Sequence, residues 1–395
     1  MQKEPVARAL AEFGFKLAAT RGTAGLLVFL VPAQRRRDGR NWQAGVWSTL
    51  GSRAVARSQM GPMSRTEVLL HSVLVSALAL PLLNCGGSGH DPTEAYYLVT
   101  TNTKIPYWQA AVAGLGQAAR EYKVGWEMVG PDTYDPEAQR QEFQKLLRQR
   151  KPSGILVSAA NPDVMTPEID GAIAQGIPVI TMDSDAPTSK RLLFIGTNNY
   201  AAGQMGANVV AKQLQGKGNV VVFTMPEQAN LKERLHGYEQ VFRGHPGIKI
   251  AEVVDIKGVA TIAFDKTNEM VSKKTPVDAF VCLEAQSCPE VADVLNRHQV
   301  TGKTVVAMDT DPRTLEWIQK GMIAATIAQK PYTMAYFGTK VLDLLHHHKL
   351  PSLEVDWAQD ARSPLPSFID TGTTLIDKNN VDAFLKANPA PQKGN

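Results

Sequence analysis

The sequence is poor in cysteine and lacks the short motifs that mark an active site. Three cysteines in 395 residues are too few for a disulfide-stabilised scaffold. No segment matches GxxxxGK[ST], HExxH or a pair of CxxC motifs, and no GxSxG stands between a strand and a helix. We therefore predict that the chain is not an enzyme, has no catalytic residues, and needs neither a cofactor nor a metal ion.

Positive charge is scarce outside the first 62 residues. Those residues hold ten Lys and Arg against three Asp and Glu, a surplus of +7, whereas the whole chain carries +4. The rest of the chain therefore carries −3, the difference between +4 and +7. A mildly acidic body lacks the basic face that a general nucleic-acid-binding protein needs.

Residues 63–84 have the pattern of an export signal. The apolar core from Val68 to Leu83 follows a short polar lead and is shorter than the roughly 20 residues of a membrane span. The letters LLNC that follow resemble a bacterial lipobox, which implies cleavage before Cys85 and a lipid on the new amino terminus. Asn84 departs from the usual Gly, Ala or Ser, so a plain secretory signal with an incidental cysteine stays open.

The segments on either side of this signal show no domain pattern of their own. Residues 85–93 are rich in glycine and are predicted to form a flexible tether. Residues 1–62 contain only one short apolar run, LLVFLV, in a basic and aperiodic sequence. We interpret them as a non-native upstream extension from a start codon placed too early, with Met60 or Met63 as the natural start.

From residue 94 onward, apolar strand patterns alternate with helical patterns. Such alternation predicts parallel, doubly wound sheets of the α/β class. About eleven strands are too many for one sheet of this kind, so the sequence predicts two lobes. The strand patterns include AYYLVTT, VGWEMVG, GILVSAA, IPVITMD, NVVVFT, IKIAEVV, VDAFVCLE, KTVVAMD and MIAATIAQ.

Two aromatic residues stand where the first predicted helix begins. The strand ends at Thr101, Pro106 suits the first turn of a helix, and Tyr107 and Trp108 follow. Ligands bind at the loops that follow the carboxyl ends of parallel strands, so the two rings suggest a stacking surface. Packing of both rings into the core is an equally good interpretation.

A GxGxxA pattern at Gly114, Gly116 and Ala119 resembles a dinucleotide fingerprint only weakly. That motif requires its glycines directly after a strand, whereas Gly114 falls inside the predicted helix. The small residues are therefore expected to allow close packing of this helix against a neighbour.

Three strand ends narrow the interpretation to one family. The segments IPVITMD, VVAMD and AATIAQ, which end in Asp183, Asp309 and Gln329, closely resemble the periplasmic sugar-binding proteins of the ribose-binding type, which serve ABC importers. The resemblance covers residues 94–378. It implies two α/β lobes joined by three hinge crossings, which close on one monosaccharide. The same fold forms the effector domain of lac-repressor-type transcription factors.

The resemblance also sets the expected lobe boundaries. The first lobe is expected at residues 94–197 and 330–358, and the second at residues 198–329 and 366–378. Residues 379–395 are expected to form a carboxyl-terminal tail.

Carried over to this chain, the resemblance implies a ligand site built from both lobes. Tyr107 and Trp108 would stack on the apolar faces of a sugar ring, while Asp183 and Asp309 would accept hydrogen bonds from its hydroxyls. Arg234 is the expected cationic donor. The full set of candidate ligand-binding residues is Thr101, Lys104, Tyr107, Trp108, Asp183, Ser184, Arg234, Glu284, Asp309 and Gln329.

Three of these positions depart from the pattern usual in ribose-binding proteins. Ser184 stands where an arginine is usual, Glu284 replaces an asparagine, and Lys104, together with Ile105, replaces an asparagine pair. The first two changes make the site more acidic, which Lys104 offsets in part. We therefore expect a ligand other than ribose.

Structural roles stay open for several of these side chains. Asp183 and Asp309 also suit the cap of a following helix. Arg234 is also compatible with a surface ion pair. Glu284 is also compatible with a purely structural role in which its carboxylate braces Arg234 or Lys104.

Two further groups of residues are candidates for covalent or metal chemistry. Cys282 and Cys288 lie across a predicted strand-to-helix turn, and export permits a disulfide between them. We favour two thiols, because the Cα separation that a disulfide needs does not follow from sequence. The histidines at 346–348 end a predicted helix, where they suit the helix dipole better than a metal ion.

These observations predict an exported, lipid-anchored monomer in the periplasm or cell envelope that hands a monosaccharide or related polyol to an ABC permease. It would contact the membrane only through its lipid and would bind no nucleic acid. The alternative is a sugar-responsive regulator of the lac-repressor type, but residues 1–62 lack the amphipathic pattern of a helix-turn-helix. Sensing, by presentation of a bound sugar to a chemoreceptor or kinase, stays open beside transport.

Overall fold

A computed structural model describes residues 16–17, 27–29, 89–357 and 360–388. The predicted signal peptide, Cys85 and most of the predicted upstream extension lie outside the described residues. The described chain from residue 92 onward belongs to one unit, and residues 89–91 belong to another. No helix in the described ranges combines the length and apolarity needed to cross a membrane.

Strands and helices alternate from residue 95 onward, which confirms the predicted α/β class. The strands are β1 (Lys16–Leu17), β2 (Leu27–Phe29), β3 (Ala95–Val99), β4 (Gly125–Val129), β5 (Gly154–Val157), β6 (Val179–Met182), β7 (Phe194–Gly196), β8 (Lys217–Thr224), β9 (Gly247–Asp255), β10 (Ala279–Cys282), β11 (Thr304–Met308), β12 (Ala325–Ala328), β13 (Phe368–Asp370) and β14 (Thr374–Asp377). The helices are α1 (Pro106–Tyr122), α2 (Pro136–Gln149), α3 (Pro162–Ala174), α4 (Asn199–Gln213), α5 (Ala229–Arg243), α6 (Ala260–Ser272), α7 (Ser287–Arg297), α8 (Pro312–Gln319), α9 (Pro331–His347) and α10 (Val381–Ala387).

The strands form two sheets, one in each lobe. In the first sheet the strand order is β1-β2-β13-β7-β6-β5-β3-β4, and in the second it is β14-β12-β11-β10-β8-β9. Neighbouring strands are parallel except for the pairs β1–β2 and β12–β14. The central strands β5, β6, β10 and β11 are buried along their whole length, as expected of parallel strands covered by helices on both faces. Each sheet has its own hydrophobic core.

The chain crosses between the lobes three times. It leaves the first sheet after β7, because α4 packs on α5 and on strands of the second sheet. It returns after β12, because α9 packs against α1 and the first sheet. The last crossing lies between β13 and β14.

Two details of the predicted boundaries are wrong. Residues 366–378 do not all belong to the second lobe, because β13 pairs with β7 in the first sheet, with Ile369 opposite Ile195. The predicted tail also contains the helix α10, which packs on α8 and β14 of the second lobe. Three-residue strands such as β13 are too short for sequence patterning to assign to a sheet.

The GxGxxA pattern serves helix packing. Gly114 lies in α1 against the backbone of Tyr332 in α9, and a Cβ atom added to Gly114 would lie 2.1 Å from the Tyr332 carbonyl oxygen. Only glycine permits this approach, which brings α9 onto the first lobe directly after the second crossing.

We expect Gly114→Ala to destabilise the protein by about 1–3 kcal/mol or more, because the added methyl group must push α1 and α9 apart. Gly171→Ala in α3 is the matched control, since a Cβ there meets no atom within 4 Å. That control should be neutral or stabilise the helix by up to about 1 kcal/mol. Urea unfolding followed by circular dichroism measures both, and equal unfolding midpoints for the two variants would contradict the packing argument.

Candidate ligand-binding site between the lobes

A central strand of each sheet is followed by an aspartate at the cleft. Asp183 follows β6 and Asp309 follows β11, and their φ angles of 63° and 66° lie in the left-handed region. Aspartate tolerates this region better than most residues because its short side chain can hydrogen-bond locally. Both residues line one cavity between the lobes, at the carboxyl ends of the strands where open α/β sheets bind ligands.

The carboxylate of Asp183 accepts hydrogen bonds from both lobes. In the first lobe, Tyr107 Oη donates to Oδ1 at 2.7 Å and Ser158 Oγ donates to Oδ2 at 3.0 Å. From α5 of the second lobe, Asn230 Nδ2 donates to Oδ2 at 3.4 Å. These donors are side chains, so this carboxylate joins the two lobes and does not act as a helix cap.

Arg234 lies at the centre of the site and is 1% exposed. Its guanidinium donates to Asn199 Oδ1 at 2.8 Å, to the Leu283 carbonyl at 2.7 Å and to Gln329 Oε1 at 2.6 Å. Gln329 Nε2 in turn donates to Asp309 Oδ1 at 2.9 Å. Arg234 is therefore buried, and Gln329 links it to Asp309.

Glu284 lines the same cavity and braces the start of α7. Its carboxylate accepts from the backbone N–H groups of Gln286 at 2.6 Å and Ser287 at 2.9 Å. The positive end of the helix dipole stabilises a carboxylate at this position. The sequence suggested that Glu284 braces Arg234 or Lys104, but among the described residues its hydrogen-bond donors are these backbone groups of α7.

A disulfide spans the turn that carries Glu284. Cys282 at the end of β10 and Cys288 in the first turn of α7 are bonded, with 5.6 Å between their Cα atoms. The preference for two thiols was therefore wrong. The bond ties the strand to the helix on either side of the turn and so limits the movement of Glu284.

Tyr107 and Trp108 both line the cavity, but their rings are perpendicular. The ring centroids are 5.0 Å apart and the ring planes meet at 87°. Trp108 is 2% exposed and belongs to the hydrophobic core of the first lobe. At most one of the two rings can therefore lie flat on a sugar. Trp108 both packs in the hydrophobic core and forms part of the cavity wall.

Eight of the ten candidate residues line the cavity: Thr101, Tyr107, Trp108, Asp183, Arg234, Glu284, Asp309 and Gln329. The other two do not. Lys104 is 68% exposed and pairs with Asp132, with 3.2 Å between Nζ and Oδ1. Ser184 is fully buried and is not part of the cavity lining.

The cavity wall also contains residues that were not among the candidates: Asn102, Ile105, Tyr134, Met225, Gln228, Asn230, Leu231, Gly258, Ala285 and Gln286. Asn230 was detectable, because it lies one helical turn before Arg234 on the same face of α5. Asn102 follows the predicted contact Thr101, and its Oδ1 atom is buried with no hydrogen-bond partner. That oxygen is free to accept from a ligand hydroxyl.

The two lobes also contact each other directly across the cleft. Besides the bond between Asn230 and Asp183, Asn161 Nδ2 of the first lobe donates to Glu227 Oε2 of the second at 3.2 Å. The cleft is therefore closed, and the cavity encloses about 470 Å³, counting its opening to solvent.

Burial raises the pKa of all three carboxyl groups in the site, and the positive charge of Arg234 opposes the increase. The pKa of Asp309 rises to about 7, with Asp183 and Glu284 adding repulsion to the effect of burial. The pKa values of Asp183 and Glu284 are also raised, and hydrogen bonds to their carboxylates limit the increase. Near neutral pH, Asp309 therefore lies close to the balance between its protonated and ionised forms.

The three histidines lie at the end of α9, close to the start of β3 and away from the cleft. His347 Nε2 lies 3.1 Å from Glu94 Oε2 and 3.7 Å from Asp343 Oδ1. Tyr96 Oη also donates to Asp343 Oδ1, at 2.9 Å. His347 is therefore engaged with the first lobe and is not a purely solvated end of the helix.

The sequence matches a known family over most of the described chain. The family described as "periplasmic binding protein domain" matches residues 96–349. The ribose import binding protein of Salmonella typhimurium is 25% identical over 281 residues, which cover 69% of this chain and 90% of that protein.

Solved structures give the same result for the fold. An arabinose-binding protein from Geobacillus stearothermophilus is 34% identical with a TM-score of 0.62, and the match covers 74% of this chain and 99% of that one. A glucose-galactose binding protein from the same organism is 27% identical with a TM-score of 0.66, covering 73% of this chain and 99% of that one.

We expect Asp309→Asn to make the ligand-free protein more stable at pH 8. The wild-type pKa rises from 3.8 to about 7 on folding, so the folded state binds more protons, and stability falls as the pH rises through this interval. At 1.36 kcal/mol per pKa unit, the loss is at most about 4 kcal/mol. Asparagine carries no charge and keeps an oxygen for Gln329, so it avoids this loss.

Thermal unfolding of both proteins between pH 4 and pH 8 measures the effect, which should shrink toward pH 4. Asp311→Asn is the control, because Asp311 caps α8 and asparagine caps a helix equally well. An Asp309→Asn protein that is less stable than wild type at pH 8 would show that burial of the Asp309 carboxylate does not lower the stability of the folded protein.

Proposed function

Because the chain belongs to the periplasmic binding protein domain family, we propose that it captures a monosaccharide or related polyol between its lobes and delivers it to an ABC importer. The observation that carries the proposal is the cavity between the lobes. Its lining includes Asp183 and aromatic residues from the first lobe and Asp309 from the second. Asp183 and Asp309 reach one small ligand together only when the lobes are closed. Ligand binding is therefore coupled to closure.

The chemistry of the cavity suits a sugar. A sugar ring has apolar C–H faces and a belt of hydroxyl groups, so it requires a flat apolar surface and strong hydrogen-bond acceptors. One ring of the perpendicular pair Tyr107 and Trp108 supplies the surface, and Asp183, Asp309 and the Oδ1 atom of Asn102 supply acceptors. Hydroxyl donors stabilise the ionised form of a carboxyl group, so a sugar would lower the raised pKa of Asp309.

The related proteins support transport over gene regulation. The relatives described above are named as import or sugar-binding proteins, and the ribose import binding protein is matched over 90% of its length. Presentation of the bound sugar to a sensory partner uses the same closed form and is the second candidate. The departures at Ser184 and Glu284 support a ligand other than ribose.

We further propose that the protein acts outside the cytoplasm, as a monomer attached to the membrane by a lipid on Cys85. The support is the pattern of residues 63–85, an apolar core followed by LLNC, together with membership of a periplasmic family. The glycine-rich segment after Cys85 would give the two lobes freedom to move above the membrane surface.

We expect at least one simple sugar to raise the melting temperature of the purified protein. The set to test is D-ribose, D-arabinose, D-xylose, D-allose, D-glucose, D-galactose and xylitol. A ligand that binds only the folded state adds about 2.7 kcal/mol of stability at 100 times its Kd. With that sugar, Asp183→Ala and Asp309→Ala should each weaken binding by about tenfold to a hundredfold, the equivalent of losing a charge-assisted hydrogen bond.

Isothermal titration calorimetry measures these affinities, and Asp311→Asn again serves as a nearby control outside the cavity lining. Unchanged affinity in both alanine variants would place the ligand elsewhere. No stabilisation by any sugar or polyol of the set would argue against the proposed ligand class.

The mature chain should begin at a lipid-modified Cys85. Mass spectrometry of protein extracted from membranes should find this terminus, and Cys85→Ser should release the protein into the soluble fraction. Cys288→Ser is a control for the loss of a different cysteine and should leave the protein attached to the membrane. A Cys85→Ser protein that stays in the membrane fraction, or a mature chain with another terminus, would refute lipid attachment.

A further inference from the structure

Tyr134 lies between two spaces in the cleft. One is the inner cavity that holds the carboxylates, and the other is an outer space at the mouth of the cleft, lined mostly by exposed side chains. Tyr134 and Met225 line both spaces. These two side chains therefore form the wall that divides the inner cavity from the outer space.

Both lobes hold Tyr134 in place. Its hydroxyl donates to the Ala160 carbonyl at 2.9 Å, which fixes the far end of the ring within the first lobe. The ring also packs against the hydrophobic core of the second lobe, although Tyr134 itself precedes α2 of the first. A tyrosine anchored at its tip and covered by the opposite lobe has little freedom to swing out of the cleft.

Gly258 is the point where the second lobe meets this wall. It lies between β9 and α6 with a φ of +72°, and a Cβ atom added to it would lie 2.2 Å from the Cβ atom of Tyr134. The backbone of the second lobe therefore rests directly on Tyr134. Because Gly258 and Tyr134 belong to opposite lobes, opening of the cleft would separate them, so closure completes the wall.

We propose that Tyr134, covered by Gly258, is the partition that restricts the ligand of this cleft to a single sugar ring. The inference rests on the proposed sugar-binding function and adds a determinant of ligand size to it. A second ring linked to the bound sugar would have to pass through the position of the tyrosine ring. With Tyr134 in place, the lobes cannot close around a ligand that has a second ring.

The outer space has the groups that a second sugar ring would need. It is lined by Asp135, Glu227, Asp255 and Lys257, which offer both acceptors and a donor for hydroxyls, and by the apolar surfaces of Pro136 and Pro226. Burial raises the pKa of the Tyr134 phenol, and the nearby charge of Glu227 adds to the increase, so the hydroxyl stays neutral. The partition is thus an uncharged wall between two polar spaces, and its removal would join them.

The test compares single sugars with disaccharides in three proteins: wild type, Tyr134→Ala and Tyr134→Phe. The probes are the monosaccharides named above and the disaccharides maltose, cellobiose, lactose and xylobiose, with affinities from titration calorimetry. Wild type should bind a monosaccharide and reject the disaccharide that contains it. Tyr134→Ala should raise the ratio of disaccharide to monosaccharide affinity at least tenfold, whereas Tyr134→Phe keeps the ring and should keep the exclusion.

A second pair of variants tests the contact from the opposite lobe. Gly258→Ala places a methyl group against Tyr134 and should weaken monosaccharide binding at least tenfold, because full closure is blocked. Gly302→Ala is the matched control, with a φ of +77° and no atom within 4 Å of an added Cβ. Both variants carry similar backbone strain, so both should lower the melting temperature of the ligand-free protein, but Gly302→Ala should keep the wild-type affinity.

The outcomes separate the partition from the proposed function. If wild type binds no sugar, the proposed function is wrong, and the proposed role of Tyr134 as a partition is refuted as well. If wild type binds a disaccharide as tightly as its monosaccharide, the function stands and the partition is refuted. An equal loss of affinity for both ligand sizes in Tyr134→Ala would also refute it, because a residue that only supports the fold would not change the ratio.

Discussion

Three buried carboxylates share the closed cleft with a single guanidinium, and the rest of the site is arranged around this excess of negative charge. Arg234 donates to an amide oxygen, a backbone carbonyl and the side chain of Gln329, and none of these acceptors is charged. Its charge opposes the raised pKa values without neutralising any carboxylate by direct contact. Asp183 and Glu284 each accept at least two hydrogen bonds, whereas Asp309 relies on Gln329. Asp309 is accordingly the group whose pKa reaches about 7.

The fold supplies the precision that such a cluster requires. Asp183 and Asp309 stand at equivalent places in the two lobes, each directly after a buried parallel strand and each with a left-handed backbone. Glu284 is fixed by two backbone amides of α7 and by the disulfide on either side of its turn. Charges held this firmly cannot relax toward solvent when the lobes close, so their burial is costly until a ligand provides hydrogen-bond donors.

The sequence predicted the parts of the site that lie on regular elements. Asp183, Asp309 and Gln329 follow strands whose apolar patterns are unmistakable, so their positions at the cleft could be inferred from the family resemblance. Lys104 was misplaced because it lies in an exposed loop, where nothing in the sequence fixes the direction of the side chain. The disulfide was undecidable because its Cα separation is a property of the folded turn. Tyr134 was missed because its role depends on the opposite lobe, a contact that leaves no periodic signal in the chain.

Closure is therefore a balance between two opposing contributions. Direct contacts between the lobes favour the closed form. Examples are the hydrogen bond from Asn230 to Asp183 and the packing of Gly258 on Tyr134. Each contributes about 1 kcal/mol, an amount typical of a hydrogen bond or a small packed surface. Removal of water from three carboxylates favours the open form. A ligand shifts this balance only by the difference between its affinities for the two forms. Ligand hydroxyl groups that replace water at Asp183 and Asp309 provide that difference. They donate hydrogen bonds to the buried carboxylates and so remove the free-energy cost of burying them. The contacts between the lobes then stabilise the closed form. The groups that recognise the ligand are thus also the groups that keep the empty cleft from closing too readily.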